Sequence, residues 1–234
     1  DFPELNMKAL ALHYCTMTAY DKKFKNVEVL FHNDDLSMTL GEVLSLHGKK
    51  QIRIAETEKY PHVTFFFSGG REVEFAGEKR IMCPSPRDVA TYDLKPEMSA
   101  NEITQAILPE IENQTADYIC LNFANTDMVG HTGVWEAVIK AAETVNACVE
   151  KIIPLALQKD YTVFLTADHG NSDYMINEDG TPNTAHTMNP VPFFIISDTF
   201  QGEIKNGKLA DIAPTILHFM GLDIPAQMTG NVLV

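Results

Sequence analysis

No stretch of this 234-residue chain approaches the roughly 20 uninterrupted apolar residues that cross a bilayer, so no helical membrane span is expected. Basic residues are scarce. Eighteen Lys and Arg face 32 Asp and Glu, a formal charge of -14 that repels nucleic-acid phosphates and argues against a general nucleic-acid role. A small phosphorylated substrate stays compatible with that charge, because metal ions and a few local Lys or Arg can reverse the field inside one cleft. The four cysteines (Cys15, Cys83, Cys120 and Cys148) show no C-x-x-C pairing. Their spacing points to a reducing cytoplasm and away from a disulfide framework. There is no internal repeat, no low-complexity tract and only one Trp. The chain opens at Asp1 with neither an initiator Met nor a basic-then-apolar leader, and is expected to start partway through something larger.

What is present is a soluble composition, 45% hydrophobic, with strand-like and helix-like segments in alternation. Ala9 to Thr18 suggests a strand, and Asp34-Asp35 a crossing segment. Thr39 to Leu46 reads as a helix stopped by Gly48. Gln51 to Ala55 alternates as a short strand, and the all-apolar Val63 to Phe67 suggests a second, ended by Gly69-Gly70. Ile81 to Arg87 is broken by two prolines and does not suit a central strand. Ser99 with Glu102 has the form of a capping box ahead of a helix. A strand at Tyr118 to Phe123 is followed by a long helix from about Val134 to Gln158. Its Val138, Ala142, Val145, Val149, Ile152 and Ala156 keep helical spacing and are expected on the sheet face. Strands at Thr162 to Leu165 and Val191 to Ile196 follow, then a helix opened by Asp211, with Pro214 in its first turn and Gly221 at its stop. The alternation predicts an α/β three-layer sandwich around a mainly parallel sheet.

Two acidic-histidine clusters carry the chemistry. Asn122-Phe-Ala-Asn-Thr-Asp127-Met-Val-Gly-His131 follows one apolar strand run, and Thr166-Ala-Asp168-His169-Gly170-Asn171 follows another. His186 comes later, in Thr184-Ala-His186-Thr-Met-Asn-Pro190. Strand carboxyl ends are where open parallel sheets bind ligands, so both clusters would share one edge. Asp127 and His131 are four apart and can meet on one helical turn. Taken singly, each motif also suits ordinary turn and capping chemistry. Together, two Asp and three His supply five hard or borderline donors, a set that accepts Mn²⁺, Zn²⁺ or Co²⁺.

Longer stretches resemble one family. Thr39 to Leu44, Arg53-Ile-Ala-Glu-Thr-Glu-Lys59-Tyr60, His62 to Gly70, Ala90 to Ala100, Asn122 to Gly133, Thr166 to Asn171 and His186 to Pro192 are similar, in order, to the cofactor-independent phosphoglycerate mutases of the alkaline phosphatase superfamily. The resemblance implies interconversion of 3-phosphoglycerate and 2-phosphoglycerate in glycolysis and gluconeogenesis. It implies a phosphoserine intermediate, two Mn²⁺ ions and no 2,3-bisphosphoglycerate. By motif, Asp127, His131 and His186 would hold one ion, Asp168 and His169 the other, and Lys59 would contact the transferred phosphoryl group.

The departures are as specific. No stretch matches the family's N-terminal serine motif, the aspartate ligand that accompanies it, or the arginine-rich substrate motif. Ser172 lies close in sequence to the ligands but is read as a bystander, so no catalytic nucleophile is expected in this chain. Residues 1–35 are expected to be the end of the transferase domain and 36–234 most of the metal-binding phosphatase domain, lacking its N-terminal strand or strands. The complete enzyme would be a cytoplasmic monomer without nucleic-acid or membrane partners. The isolated chain would be inactive and open to self-association through an unpaired sheet edge. Another activity of the superfamily, or a metal-binding fragment with no turnover, are the alternatives. Arg53, Arg71, Arg80 and Arg87 receive no role, and His62 is read as a packed or capping residue.

Overall fold

The computed structural model describes residues 10, 12–19, 24–31 and 36–234. They form two compact units, Asp1–Leu36 and Ser37–Val234. In the first, β1 (Tyr14–Thr16) pairs in parallel with β2 (Val27–Val29), Cys15 standing opposite Glu28. β1 falls within the strand expected at Ala9 to Thr18, of which Ala9 and Ala11 are outside the described residues, as is the crossing segment at Asp34-Asp35.

The second unit is built on β3 (Gln51–Glu56), whose six residues are all buried. β4 (Glu78–Cys83) and β5 (Tyr118–Leu121) flank it, both parallel, with Ile54 opposite Ile81 and Leu121. A strand buried on both faces explains why the Gln51 to Ala55 alternation is not a solvent-to-core alternation. One face of β3 presents Ile52 and Ile54 to α2 (Ala100–Glu112) and α4 (Trp135–Gln158), packing with Ile103, Ile107, Ile111 and Ala156. The opposite face lies under α1 (Leu40–Leu46): Gln51 Nε2 donates to the Gly41 carbonyl at 2.8 Å. Leu40, Val43 and Leu44 of α1 cluster with Ile216 and Leu217 of α5 (Ile212–Phe219), over Tyr118 and Phe164. This gives helix, sheet, helix: the three-layer α/β arrangement expected from the alternation.

Arg53 shares the second face and is 0% exposed. It is neither a surface nor a cleft arginine. Its guanidinium lies 4.2 Å from the Phe67 ring centroid and 5.3 Å from that of Tyr118, and Nη2 donates to Gln51 Oε1 at 2.5 Å. Cation–π contact on two rings compensates part of the desolvation that burial imposes on the charge.

Several local expectations change. His62–Phe66 is a π-helical turn, not a strand, with Pro61 at its N-cap and Gly69 and Gly70 at φ +67° and +87° after it. A short apolar run carries no period that separates strand from buried helix, and here the tertiary contacts of Val63 and Thr64 decide. β6 (Val163–Thr166) and β7 (Phe193–Ile196) form a separate antiparallel pair, Val163 opposite Ile196. The intervening loop contains no crossover helix, and without one a parallel return is not available. Ala142 of α4 faces solvent while Ala141 and Cys148 are buried, so the buried stripe is rotated by one residue there. Neither expected cap forms its side-chain bond within the helix: Ser99 Oγ donates to the Pro84 carbonyl instead, and Asp211 accepts from the N–H groups of Lys208 and Asn231. Gly48 and Gly221 do follow their helices with left-handed φ.

Truncating the core of the central strand should be costly. Ile54→Ala is expected to lower the free energy of unfolding by about 2–5 kcal/mol in urea titration. A loss well under 1 kcal/mol would mean that the three layers are not coupled through this strand.

Candidate metal centre

β5 ends at Leu121, and four residues later the chain turns into the short helix α3 (Asn125–Gly130). Asn125 is fully buried, and its Nδ2 donates to the carbonyls of Pro96 and Glu97 at 2.8 Å each, which anchors the start of α3. One turn along, Asp127 and the C-cap residue His131 share a face, His131 Nε2 lying 3.2 Å from Asp127 Oδ1. At Gly130 the helix passes so close to the Asn171 amide that a methyl group there would collide with it.

The β6–β7 loop brings the remaining donors. His169 follows β6 and His186 lies on the return to β7; because the pair is antiparallel, the end of one and the start of the other fall at the same edge. Gly170 and Thr187 bridge across the loop, and Asp173 fastens it by accepting from Thr187 Oγ1 and from Asn189 Nδ2. As a result the rings of His169 and His186 stack at 3.7 Å. His186 Nε2 is 3.3 Å and His169 Nε2 4.0 Å from Asp127 Oδ1. Donor atoms of Asp127, His169 and His186 all lie within 4.8 Å of one another. Asp168 stands at the rim, its side chain half exposed, with Oδ2 3.7 Å from His169 Nε2.

Lys59 completes the group from a third direction. It follows β3 in the turn Glu56 to Lys59, is 5% exposed, and places Nζ 2.5 Å from Asp127 Oδ2. It is therefore not a solvated surface lysine. Burial by itself would raise the pKa of Asp127, but the hydrogen bonds from Lys59 and Asn171 and the Lys59 charge outweigh it and hold the carboxyl below its usual range. Asp127 is thus ionised, and so able to ligate, at any neutral pH.

The donor set fits a divalent cation, on one chemical ground in particular. His131 Nδ1 lies 2.7 Å from the Thr184 carbonyl, which can only accept, so Nδ1 carries the hydrogen. In a neutral ring Nε2 then presents a lone pair, and it faces Asp127 Oδ1 at 3.2 Å and His186 Nε2 at 3.1 Å. Lone pairs converging on one point at these distances repel unless a proton or a metal ion lies between them. The ligands are imidazole and carboxylate without sulfur, which suits Mn²⁺, Co²⁺ or Zn²⁺.

Three residues of the centre had no role legible in the sequence: Asn171, whose Nδ2 donates to Asp127 Oδ1 at 2.7 Å, and Thr184 and Asp173. Asn171 adjoins the Asp168-His169 pair, which was the available signal. Ser172 Oγ donates to the Thr126 carbonyl at 2.5 Å, a hydrogen bond that commits its proton to the backbone. Behind Lys59, the buried Glu56 accepts from Ser85 Oγ at 2.9 Å. Burial pushes its pKa up, against the opposing pull of that hydrogen bond.

Removing the Asn171 amide leaves Asp127 less firmly oriented. Asn171→Ala is expected to weaken Mn²⁺ binding by roughly 10–100-fold in calorimetric titration, and unchanged affinity would show that Asp127 needs no such support. For Glu56 the sign follows from a raised folded pKa: its contribution to stability is complete below the unfolded value near 4.5 and is lost as pH rises through the folded value. Stability of Glu56→Gln should accordingly fall less than that of the unsubstituted chain as pH is raised above that value, measured by urea unfolding at several pH values. Parallel pH profiles for the two proteins would refute it.

A family model described as Metalloenzyme, the metalloenzyme superfamily, matches residues 3–224. Over 234 residues, all of this chain, the sequence is 61% identical to the 2,3-bisphosphoglycerate-independent phosphoglycerate mutase of Flavobacterium psychrophilum. It is 52% identical to the protein of the same name from Bacteroides thetaiotaomicron over 235 aligned residues. In each case the chain spans 46% of the length of the curated relative. Among solved structures, Leishmania mexicana phosphoglycerate mutase, crystallised at low cobalt concentration, superposes with a TM-score of 0.81 at 27% identity, covering 94% of this chain and 44% of that one. With a family model matched over nearly its whole length and an imidazole–carboxylate cluster at its centre, the chain belongs to the metalloenzyme superfamily.

Proposed function

We propose that this chain is the metal-binding portion of a cofactor-independent phosphoglycerate mutase, interconverting 3-phosphoglycerate and 2-phosphoglycerate through a phosphoserine whose serine lies outside it. In this reading residues 1–35 close the transferase domain and 36–234 are most of the phosphatase domain. The observation that carries it is the convergence of His131, His169 and His186 on one oxygen of Asp127 while Lys59 holds the other. Relatives alike over the full chain bear that enzyme's name.

Asp127, His131 and His186 would hold one Mn²⁺, and Asp168 and His169 the other, with Co²⁺ or Zn²⁺ as substitutes. When bound, such ions acidify a serine hydroxyl and neutralise charge developing on phosphoryl oxygens. The protein's own groups do the rest. The Lys59 ammonium, already desolvated beside Asp127, offers its remaining N–H donors to a phosphoryl oxygen as a point charge. The Thr184 carbonyl fixes the His131 tautomer, and Asn171 keeps the Asp127 carboxylate turned toward the histidines. Substrate-positioning arginines and the nucleophile come from the other part of the protein. The complete enzyme would act in the cytoplasm, in glycolysis, as a monomer.

Enolase-coupled mutase assays with Mn²⁺ test the reading. The chain alone should be inactive, and activity should appear when the separately made N-terminal portion is added and vanish with Lys59→Ala. Turnover by the chain alone, abolished by Ser172→Ala, would overturn the placement of the nucleophile. The isolated chain should bind one Mn²⁺ tightly, and two equally tight sites would contradict the division of ligands into Asp127, His131 and His186 for one ion and Asp168 and His169 for the other.

A further inference from the structure

A second set of donors lies in the first unit, far from this chemistry in both sequence and character. Cys15 lies in β1 and His13 immediately precedes that strand, and both side chains meet Glu28. Glu28 of β2 is the cross-strand partner of Cys15 in the parallel register. Glu28 Oε2 is 2.8 Å from His13 Nε2 and 3.7 Å from Cys15 Sγ. The three donor atoms lie within 4.8 Å of one another, all on exposed residues. From these positions we propose a surface site for a thiophilic divalent cation, Zn²⁺ foremost, held by His13, Cys15 and Glu28 with solvent in the fourth position.

Three features support it. The donors are one imidazole, one thiol and one carboxylate, the set that tetrahedral Zn²⁺ accepts and that Mn²⁺ and Mg²⁺ do not favour. The two separations from Glu28, 2.8 and 3.7 Å, bracket the spacing between ligands on one tetrahedral ion, for which bonds of roughly 2.0–2.3 Å place neighbouring donors on the order of 3.5 Å apart. Finally, the ion would tie β1 to β2 across a parallel pair of three residues each, a length at which backbone hydrogen bonds alone give little stability. Without an ion the same residues amount to an exposed His–Glu pair beside a thiol, which contributes little. The site shares no residue with the Asp127 centre.

Sulfur separates the two sites experimentally. Co²⁺ titrated into the full chain should produce a near-ultraviolet thiolate-to-cobalt charge-transfer band, a signal that the imidazole–carboxylate centre at Asp127 cannot give. The band should vanish in Cys15→Ser and persist in His186→Ala. It should be displaced by Zn²⁺ but not by equimolar Mn²⁺. His13→Ala and Glu28→Gln should each weaken the Co²⁺ affinity read from the band by on the order of tenfold or more. All three positions are on the surface, and unchanged circular dichroism would show that the variants fold. Absence of the band would overturn the site, as would a band surviving Cys15→Ser, which must come from another cysteine. Affinity indifferent to both His13→Ala and Glu28→Gln would reduce it to a lone thiol.

Discussion

The architecture of the centre depends on the Asp127 carboxylate. One of its oxygens faces three imidazoles and an amide, and the other faces an ammonium. Through that single group the end of β3, the helix after β5 and both limbs of the β6–β7 loop are drawn to one point. Such a half-buried carboxylate is stabilised because its charge is met from several sides: Lys59 pairs with one oxygen, and a metal ion would offset the mutual repulsion of the histidine lone pairs. Burial is what gives these contacts their strength, since the same charges in bulk water would attract each other far less.

The excess of acid over base takes on meaning from this arrangement. Few of the 32 acidic residues lie at the centre, and under the proposed function the field that a phosphorylated ligand would meet there is set locally by Lys59 and by the cations the histidines would hold. Phosphate binding, if the proposed function holds, would then be concentrated in a small, desolvated spot such as the one around Lys59, which is 5% exposed.

Much of this was legible in the sequence, and what was not has identifiable causes. The long helix α4 and the stops at Gly48 and Gly221 were visible because periodicity and left-handed glycines are local signals. Asp127 and His131 could be paired from their spacing alone. Direction and partner choice are not local: nothing in Thr162 to Leu165 says whether its neighbour runs parallel or antiparallel, and the aromatic run ending at Phe67 has no period that distinguishes strand from a π-turn. Side chains with several possible partners were also out of reach. Ser99 and Asp211 do stand at the N-caps of α2 and α5 but their side chains bond to other segments, Asn171 became a carboxylate anchor, and Arg53 looked like any surface arginine. The stacking of His169 on His186 beside Asp127 was likewise beyond the reach of sequence spacing.

Arg53 has a consequence for how the sheet is assembled. Parallel strands of mostly apolar residues, such as Ile52, Ile54, Ile119 and Leu121, can slide past one another with little loss of contact. The guanidinium removes that freedom. Held between Phe67 and Tyr118, it fits one face of the sheet, and a shift of β3 by a single residue would thrust it into the apolar cluster around Ile103 and Ile107. The buried charge thus serves as a register key for the central strand. Since Lys59 follows that strand by three residues, the key also fixes how far the ammonium reaches toward Asp127.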